Sequence, residues 1–189
     1  MHFYILLILS YLLGSIPFGK IVGYLKGIDI QKHGSGHTGF ANSLRTLGWG
    51  PASFVLLGDM LKGYIPVYFA LHYFNLTNAI IIGTAGILGH IFSPWLKLKG
   101  GKGVATMLGV SLALNFIVAF IAIVVWIIIF LSTRIPSISS LIITLLLPLL
   151  ALIFEAKLII FYLLLIPLIF VTHRKNLINI INRQELKIP

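Results

Sequence analysis

Residues 34 to 45 read GSGHTGFANSLR, a polar run set between two apolar stretches. Gly34 and Gly36 let successive backbone N–H groups point into one concavity, Ser35 and Thr38 add hydroxyl donors, and Arg45 adds a planar fork that matches phosphate oxygens. His37 and Asn42 supply further polar atoms in the same run. This set suits an anion, and a phosphate group above all. A flexible Gly/Ser turn between two membrane helices is the other reading.

A second cluster, KLKGGKGVAT from Lys97 to Thr106, places Lys102 among Gly100, Gly101 and Gly103. Lysines anchoring a helix at the membrane surface would explain the charges but not the glycines, which fit backbone that must come close to a ligand. It is not a Walker loop, because Lys102 is followed by Gly103 rather than Ser or Thr. Ser137 and Ser140 follow Pro136 at the expected start of a helix, where an anion is favoured, although capping alone would account for one serine. In the tail, THRKNLINIINRQELKI, His173 and Asn176 stand three apart on a helix that could equally lie flat at the membrane interface.

Asp59 and Lys62, also three apart, fall within an apolar segment. An ionisable side chain at mid-membrane costs about 2.5 to 3.5 kcal/mol on insertion scales, so the two are expected to face inward and pair. Structural and catalytic roles stay open for that pair. A structural role is the simpler reading for His90, and Glu185 is placed with the supporting residues. The chain has no cysteine and no His/Asp/Glu set at ligand spacing, so neither a metal nor another cofactor is implied.

The elements that must position these clusters are membrane helices. The composition is 59% hydrophobic and 10% charged, against about a quarter charged for soluble domains. With 189 residues the chain has room for about six or seven spans of about 20 residues. Spans are expected at 3–24, 51–74, 79–95, 138–154 and 158–171, with 104–131 folded into a hairpin near Leu114 and Asn115. That hairpin brings all of the 14 Lys and Arg residues except Lys62 and Lys157 to the cytoplasmic side. The N-terminal segment lacks a basic start and a small-x-small cleavage pattern, so it is expected to be a retained span. The reading is an all-α integral membrane protein, a bundle of seven transmembrane helices, some short, with the N-terminus outside, the C-terminus cytoplasmic and one domain over 1–189. All four polar clusters then share the cytoplasmic face. Nucleic acid is not an expected partner, because no soluble basic patch or stacking module is present. An anion carrier and a structural membrane subunit remain alternatives, but no inverted repeat is evident and a structural subunit has no need of four such clusters.

In order and over nearly the whole chain, GSGHTGFANSLRTLG, GDMLKG, GHIFSPWLKLKGGKGVAT and THRKN resemble the bacterial acyl-phosphate:glycerol-3-phosphate acyltransferases. The resemblance implies transfer of a fatty acyl group from acyl phosphate to the 1-hydroxyl of sn-glycerol 3-phosphate, giving lysophosphatidate and inorganic phosphate in the first acylation of phospholipid synthesis. It also implies a seven-spanning protein of the bacterial inner membrane with its active site at the cytoplasmic face. A loose association with the soluble enzyme that makes acyl phosphate is a further expected interaction. The common family motif has Asn where this chain has His37, whereas Asn42 matches. Ser35, Lys102 and His173 are the expected catalytic residues. Gly34, Gly36, His37, Thr38, Asn42, Arg45, Gly100, Gly101, Gly103, Ser137, Ser140 and Asn176 are expected to bind substrate, with Asp59, Lys62, His90 and Glu185 supporting them. For the general base, His173 and a phosphate oxygen of the substrates are both open.

Overall fold

The computed structural model describes residues 2–188, which form ten α-helices, three single-turn 3-10 helices and no strand. The chain divides into two compact units, Met1–Leu114 and Asn115–Pro189.

In the first unit the expected span 3–24 is broken. Helices α1 (His2–Ser15) and α2 (Phe18–Leu25) meet at a 40° bend. Pro17 is the cause: it has no N–H to continue the ladder, and it drives Ile16 out of the helical region. The Ile16 carbonyl at the break accepts from Lys62 Nζ at 2.8 Å and from Phe18 N–H at 3.1 Å. The stretch 25–50, expected as a loop, contains the short helix α3 (Phe40–Leu47). Then follow α4 (Trp49–Tyr73), α5 (Leu76–Ile91) and α6 (Val104–Leu114). Asn75 caps α5 by accepting from Asn78 N–H at 2.9 Å, so most of the expected turn 75–78 is already helix.

Helix α1 packs on α5, and α4 packs on α6. Glycines let these backbones touch. A methyl added at Gly14 would lie 2.1 Å from the Gly86 carbonyl oxygen, and one at Gly109 would lie 2.0 Å from that of Met60. Lipid tails offer no hydrophobic drive for helices to associate, so such close contact is what holds them together.

The second unit holds α7 (Phe116–Thr133), α8 (Pro136–Phe154), α9 (Ile159–Thr172) and α10 (Arg174–Ile181), with α8 packed against both α7 and α9. Asn115 accepts from Val118 N–H at 3.0 Å and caps α7, so the apolar run 104–131 breaks at Leu114 and Asn115, where a turn is expected. A 67° corner at His173 separates α9 from α10. The last described residue, Ile188, donates its N–H to the Arg134 carbonyl at 2.8 Å and brings the tail back to the end of α7.

Among the described residues, four helices are long and apolar enough to cross a bilayer, or up to six if each bent pair makes one span. Helix α6 has 11 residues and rises about 16 Å, against a hydrocarbon core of about 30 Å.

Candidate active site

One buried side chain shapes the glycine run. Asn42, on the first turn of α3, accepts from Ser35 N–H at 2.8 Å through Oδ1. The two hydrogens of its Nδ2 are shared among the carbonyls of Ile30, His33 and His37, at 3.0, 3.1 and 2.9 Å. Gly34 and Gly36 have φ of +57° and +71°, which side-chain-bearing residues rarely adopt. A methyl at Gly34 would in addition lie 2.3 Å from Asn42 Oδ1. The loop also sits on α2, because a methyl at Gly19 would lie 1.8 Å from the Thr38 carbonyl oxygen.

These contacts revise two expectations. The amides of residues 34 to 38 are not all available to an anion: Ser35 N–H is engaged by Asn42, and Gly36 N–H donates to the His33 carbonyl at 3.1 Å. Asn42 itself, expected among the substrate-binding residues, directs its amide into the loop. Ser35 and His37 are half-buried, Thr38 is buried, and Arg45 lies half-buried in the last turn of α3.

The second loop is docked on the end of α5. Gly100 N–H donates to the Ile91 carbonyl and Gly101 N–H to the His90 carbonyl, both at 3.0 Å. A methyl at Gly101 would lie 2.0 Å from His90 Nε2. Gly103, at φ +90°, turns the chain into α6. Lys102 stands half-buried between the buried Gly101 and Gly103.

Behind this loop is a buried cluster. Lys62 Nζ lies 2.6 Å from Asp59 Oδ1, and His90 Nδ1 lies 3.5 Å from the same oxygen. The three side chains are 4%, 2% and 5% exposed, in the order Lys62, Asp59, His90. The i,i+3 spacing of Asp59 and Lys62 made their pairing legible. His90, on another helix, is joined to them only by tertiary packing.

In the second unit the expected donors are largely engaged by one another's neighbours. Ser140 Oγ donates to the Pro136 carbonyl at 2.8 Å and accepts from Trp126 Nε1 at 3.1 Å, so its hydroxyl hydrogen is not offered to a phosphate. Ser137 Oγ and Asn176 Nδ2 both donate to Glu185 Oε1, at 2.8 and 2.5 Å. Glu185 thus joins the start of α8 to α10. Trp126 was not singled out from sequence; an indole in an otherwise apolar helix, needing a partner for its N–H, was the available signal. His173 is buried at the α9–α10 corner, and its Nδ1 lies 2.9 Å from the Ile169 carbonyl. A carbonyl only accepts, so Nδ1 carries the proton, and in the neutral ring Nε2 is the basic nitrogen.

Residues 4–183 match the family model described as glycerol-3-phosphate acyltransferase. The glycerol-3-phosphate acyltransferase of Wolbachia pipientis wMel is 39% identical over 189 residues, covering 99% of this chain and 98% of that protein. Glycerol-3-phosphate acyltransferase 2 of Bacillus anthracis is 42% identical over 186 residues, covering 96% and 97%. The fold is similar to the crystal structure of PlsY (YgiH), an integral membrane glycerol 3-phosphate acyltransferase, in its glycerol 3-phosphate form. That similarity has a TM-score of 0.95 at 34% identity and covers 100% of this chain and 96% of the other. The lysophosphatidic acid form of PlsY gives a TM-score of 0.92 at 34% identity, covering 99% and 95%. With two glycine-bearing loops braced by buried polar side chains and a match along nearly its whole length, this chain belongs to the glycerol-3-phosphate acyltransferase family.

Proposed function

We propose that the protein transfers a fatty acyl group from acyl phosphate to the 1-hydroxyl of sn-glycerol 3-phosphate, releasing lysophosphatidate and inorganic phosphate. It would do so as the first acylation of phospholipid synthesis. The observation that carries this reading is the near-complete structural similarity to an acyltransferase crystallised in glycerol 3-phosphate and lysophosphatidic acid forms. The proposal extends to the whole chain, 1–189, as one catalytic domain of seven spans in the bacterial inner membrane. In it the N-terminus lies outside and the functional loops lie at the cytoplasmic face. Placing all basic residues but Lys62 and Lys157 on the cytoplasmic side supports that orientation.

In the proposed chemistry the glycerol oxygen attacks the carbonyl carbon of the acyl phosphate, and the carbonyl oxygen becomes an oxyanion. Ser35 would donate to that charge, and donors fixed at such a position commonly contribute about a hundredfold to a thousandfold each. Collapse of the intermediate breaks the bond from carbon to the phosphate oxygen. Lys102 would neutralise the departing phosphate. Arg45, His173 and Asn176 would bind glycerol 3-phosphate, Asn176 being oriented by Glu185. The hydroxyl proton would pass to a phosphate oxygen of the substrates, with His173 Nε2 as the alternative acceptor.

A cleft of about 650 Å³ lined by Phe18, Val22, Leu25, Lys26, Pro51 and Phe54 would take the acyl chain. Its volume is within the range of small-molecule sites, and each methylene buried there would contribute about 0.8 kcal/mol. Helix α2 forms one wall and also carries Gly19, which seats the glycine loop.

The test is reconstituted protein given acyl phosphate and labelled glycerol 3-phosphate. Phosphate release with a labelled lipid product is expected; transport of label without product would overturn the reading. Equal turnover with acyl-CoA or an acyl carrier protein would overturn the choice of donor. In a His173→Gln variant, retained turnover with a raised KM for glycerol 3-phosphate is expected. Loss of turnover at unchanged KM would make His173 the base. Co-purification with the soluble enzyme that makes acyl phosphate would test the proposed loose association.

A further inference from the structure

We infer that Asp59 is a positioning residue for Lys102, acting through His90, and that the buried Asp59–Lys62–His90 cluster serves the reaction by fixing the loop that follows α5. This rests on the proposed role of Lys102. His90 holds Gly101, the residue before Lys102, in two ways. Its carbonyl accepts the Gly101 N–H at 3.0 Å, and its Nε2 edge fills the space where a Gly101 methyl would lie, 2.0 Å away. The ring's other nitrogen faces Asp59 Oδ1 at 3.5 Å.

A histidine ring has a broad, roughly two-fold torsion about its last bond, so packing alone defines its orientation weakly. Here the Asp59 carboxylate lies on one side of the ring, at an ion-pair distance and without a hydrogen bond, and Gly101 closes the other side. Lys62 supplies the countercharge at 2.6 Å and donates as well to the Ile16 carbonyl at the α1–α2 break. Just beyond that break, α2 carries Gly19, against which the Thr38 backbone of the glycine loop rests. The cluster therefore braces both loops of the first unit. An apolar trio of similar volume would fill the same space without the cost of desolvating charges. What an apolar trio would not supply is the carboxylate that faces the His90 ring on the side away from Gly101; the backbone bond from Gly101 N–H to the His90 carbonyl would survive the change.

The full-length enzyme tests this with acyl phosphate and glycerol 3-phosphate as substrates. The variants are the charge-balanced pair Asp59→Asn with Lys62→Met, then His90→Gln, then Gly101→Ala. Each is scored for kcat, for both KM values and for thermal midpoint. The expected result is a kcat lowered about tenfold or more, with KM for glycerol 3-phosphate within about twofold and a folded protein, because small displacements of a charge-bearing group lower turnover steeply. Gly101→Ala should reproduce the effect from the loop side. Wild-type kcat in both the charge-balanced variant and Gly101→Ala would overturn the inference, as would a rise of both KM values at unchanged kcat. If the charge-balanced variant does not fold, His90→Gln and Gly101→Ala decide on the same criteria. Lys102→Ala separates the two levels: full turnover there would remove the role of Lys102 itself and the inference with it. Loss of turnover there with wild-type kcat in the others would remove the positioning alone.

Discussion

The Asn42 side chain accepts the Ser35 N–H at 2.8 Å while donating to the carbonyls of Ile30, His33 and His37. A single amide thereby fixes a loop whose glycines alone would leave it free to move.

Removing that amide withdraws a partner from four backbone groups at once, although the Ile30 and His33 carbonyls each keep a backbone N–H. Asn42→Ala should lower kcat/KM at least about tenfold, and each buried group left unpartnered should cost about 1 to 3 kcal/mol. Asn42→Asp should be at least as damaging, since a carboxylate would face three carbonyl oxygens. Phosphate-release kinetics together with thermal midpoints in detergent would check both; an active Asn42→Asp enzyme would contradict the geometry.

Two glycines should respond oppositely to alanine. Gly34 combines a φ of +57° with Asn42 Oδ1 only 2.3 Å from the added methyl, so Gly34→Ala should destabilise the protein and abolish turnover. Gly50 lies in α4 with nothing within 4 Å of the methyl, so Gly50→Ala should stabilise by about 0.5 to 1 kcal/mol. Paired melting curves give the comparison.

Glu185 receives both Ser137 and Asn176, so Glu185→Ala should release α10 from the start of α8. The expected result is a several-fold rise in KM for glycerol 3-phosphate at an unchanged KM for acyl phosphate. Glu185→Gln keeps one acceptor oxygen, so it should fall between wild type and Glu185→Ala. Steady-state titration of each substrate separates these outcomes.

Asn115 caps α7 at the boundary between the two compact units. Asn115→Ala should lower stability by about 1 kcal/mol, and Asn115→Asp should preserve the cap. Thermal unfolding of the two variants side by side is the measurement; equal losses would mean that the cap contributes little.

Elements set by hydropathy were legible in the sequence. The long apolar runs became α4, α5, α7, α8 and α9, and an asparagine inside the run 104–131 marked where it breaks. The break at Ile16 is not legible from hydropathy, because the run 3–24 is apolar enough to pass for one continuous span despite Pro17. Helix α3 was also missed: eight residues, FANSLRTL, are too short and too polar to stand out beside membrane spans. Among the candidate residues, Asn42 was legible as part of a motif, but the inward direction of its amide is a tertiary fact. The same holds for His90, which meets Asp59 only because α4 and α5 pack together. The hydroxyl of Ser140 reads from sequence as a donor to an anion; its bond to the Pro136 carbonyl is the i−4 bond of a helical serine, and only its contact with Trp126 depends on how α7 lies along α8.

The contact between Lys62 Nζ and the Ile16 carbonyl carries a consequence for biogenesis. The ribosome makes Ile16 well before Lys62, across a separation of 46 residues, so the elbow between α1 and α2 enters the translocon with its carbonyl held only by the local Phe18 N–H, at 3.1 Å. Until α4 emerges, that peptide group has either water in the translocon or a costly exposure to acyl chains. The first two helices are therefore expected to linger at the insertion machinery and to leave it together with α4, which completes them.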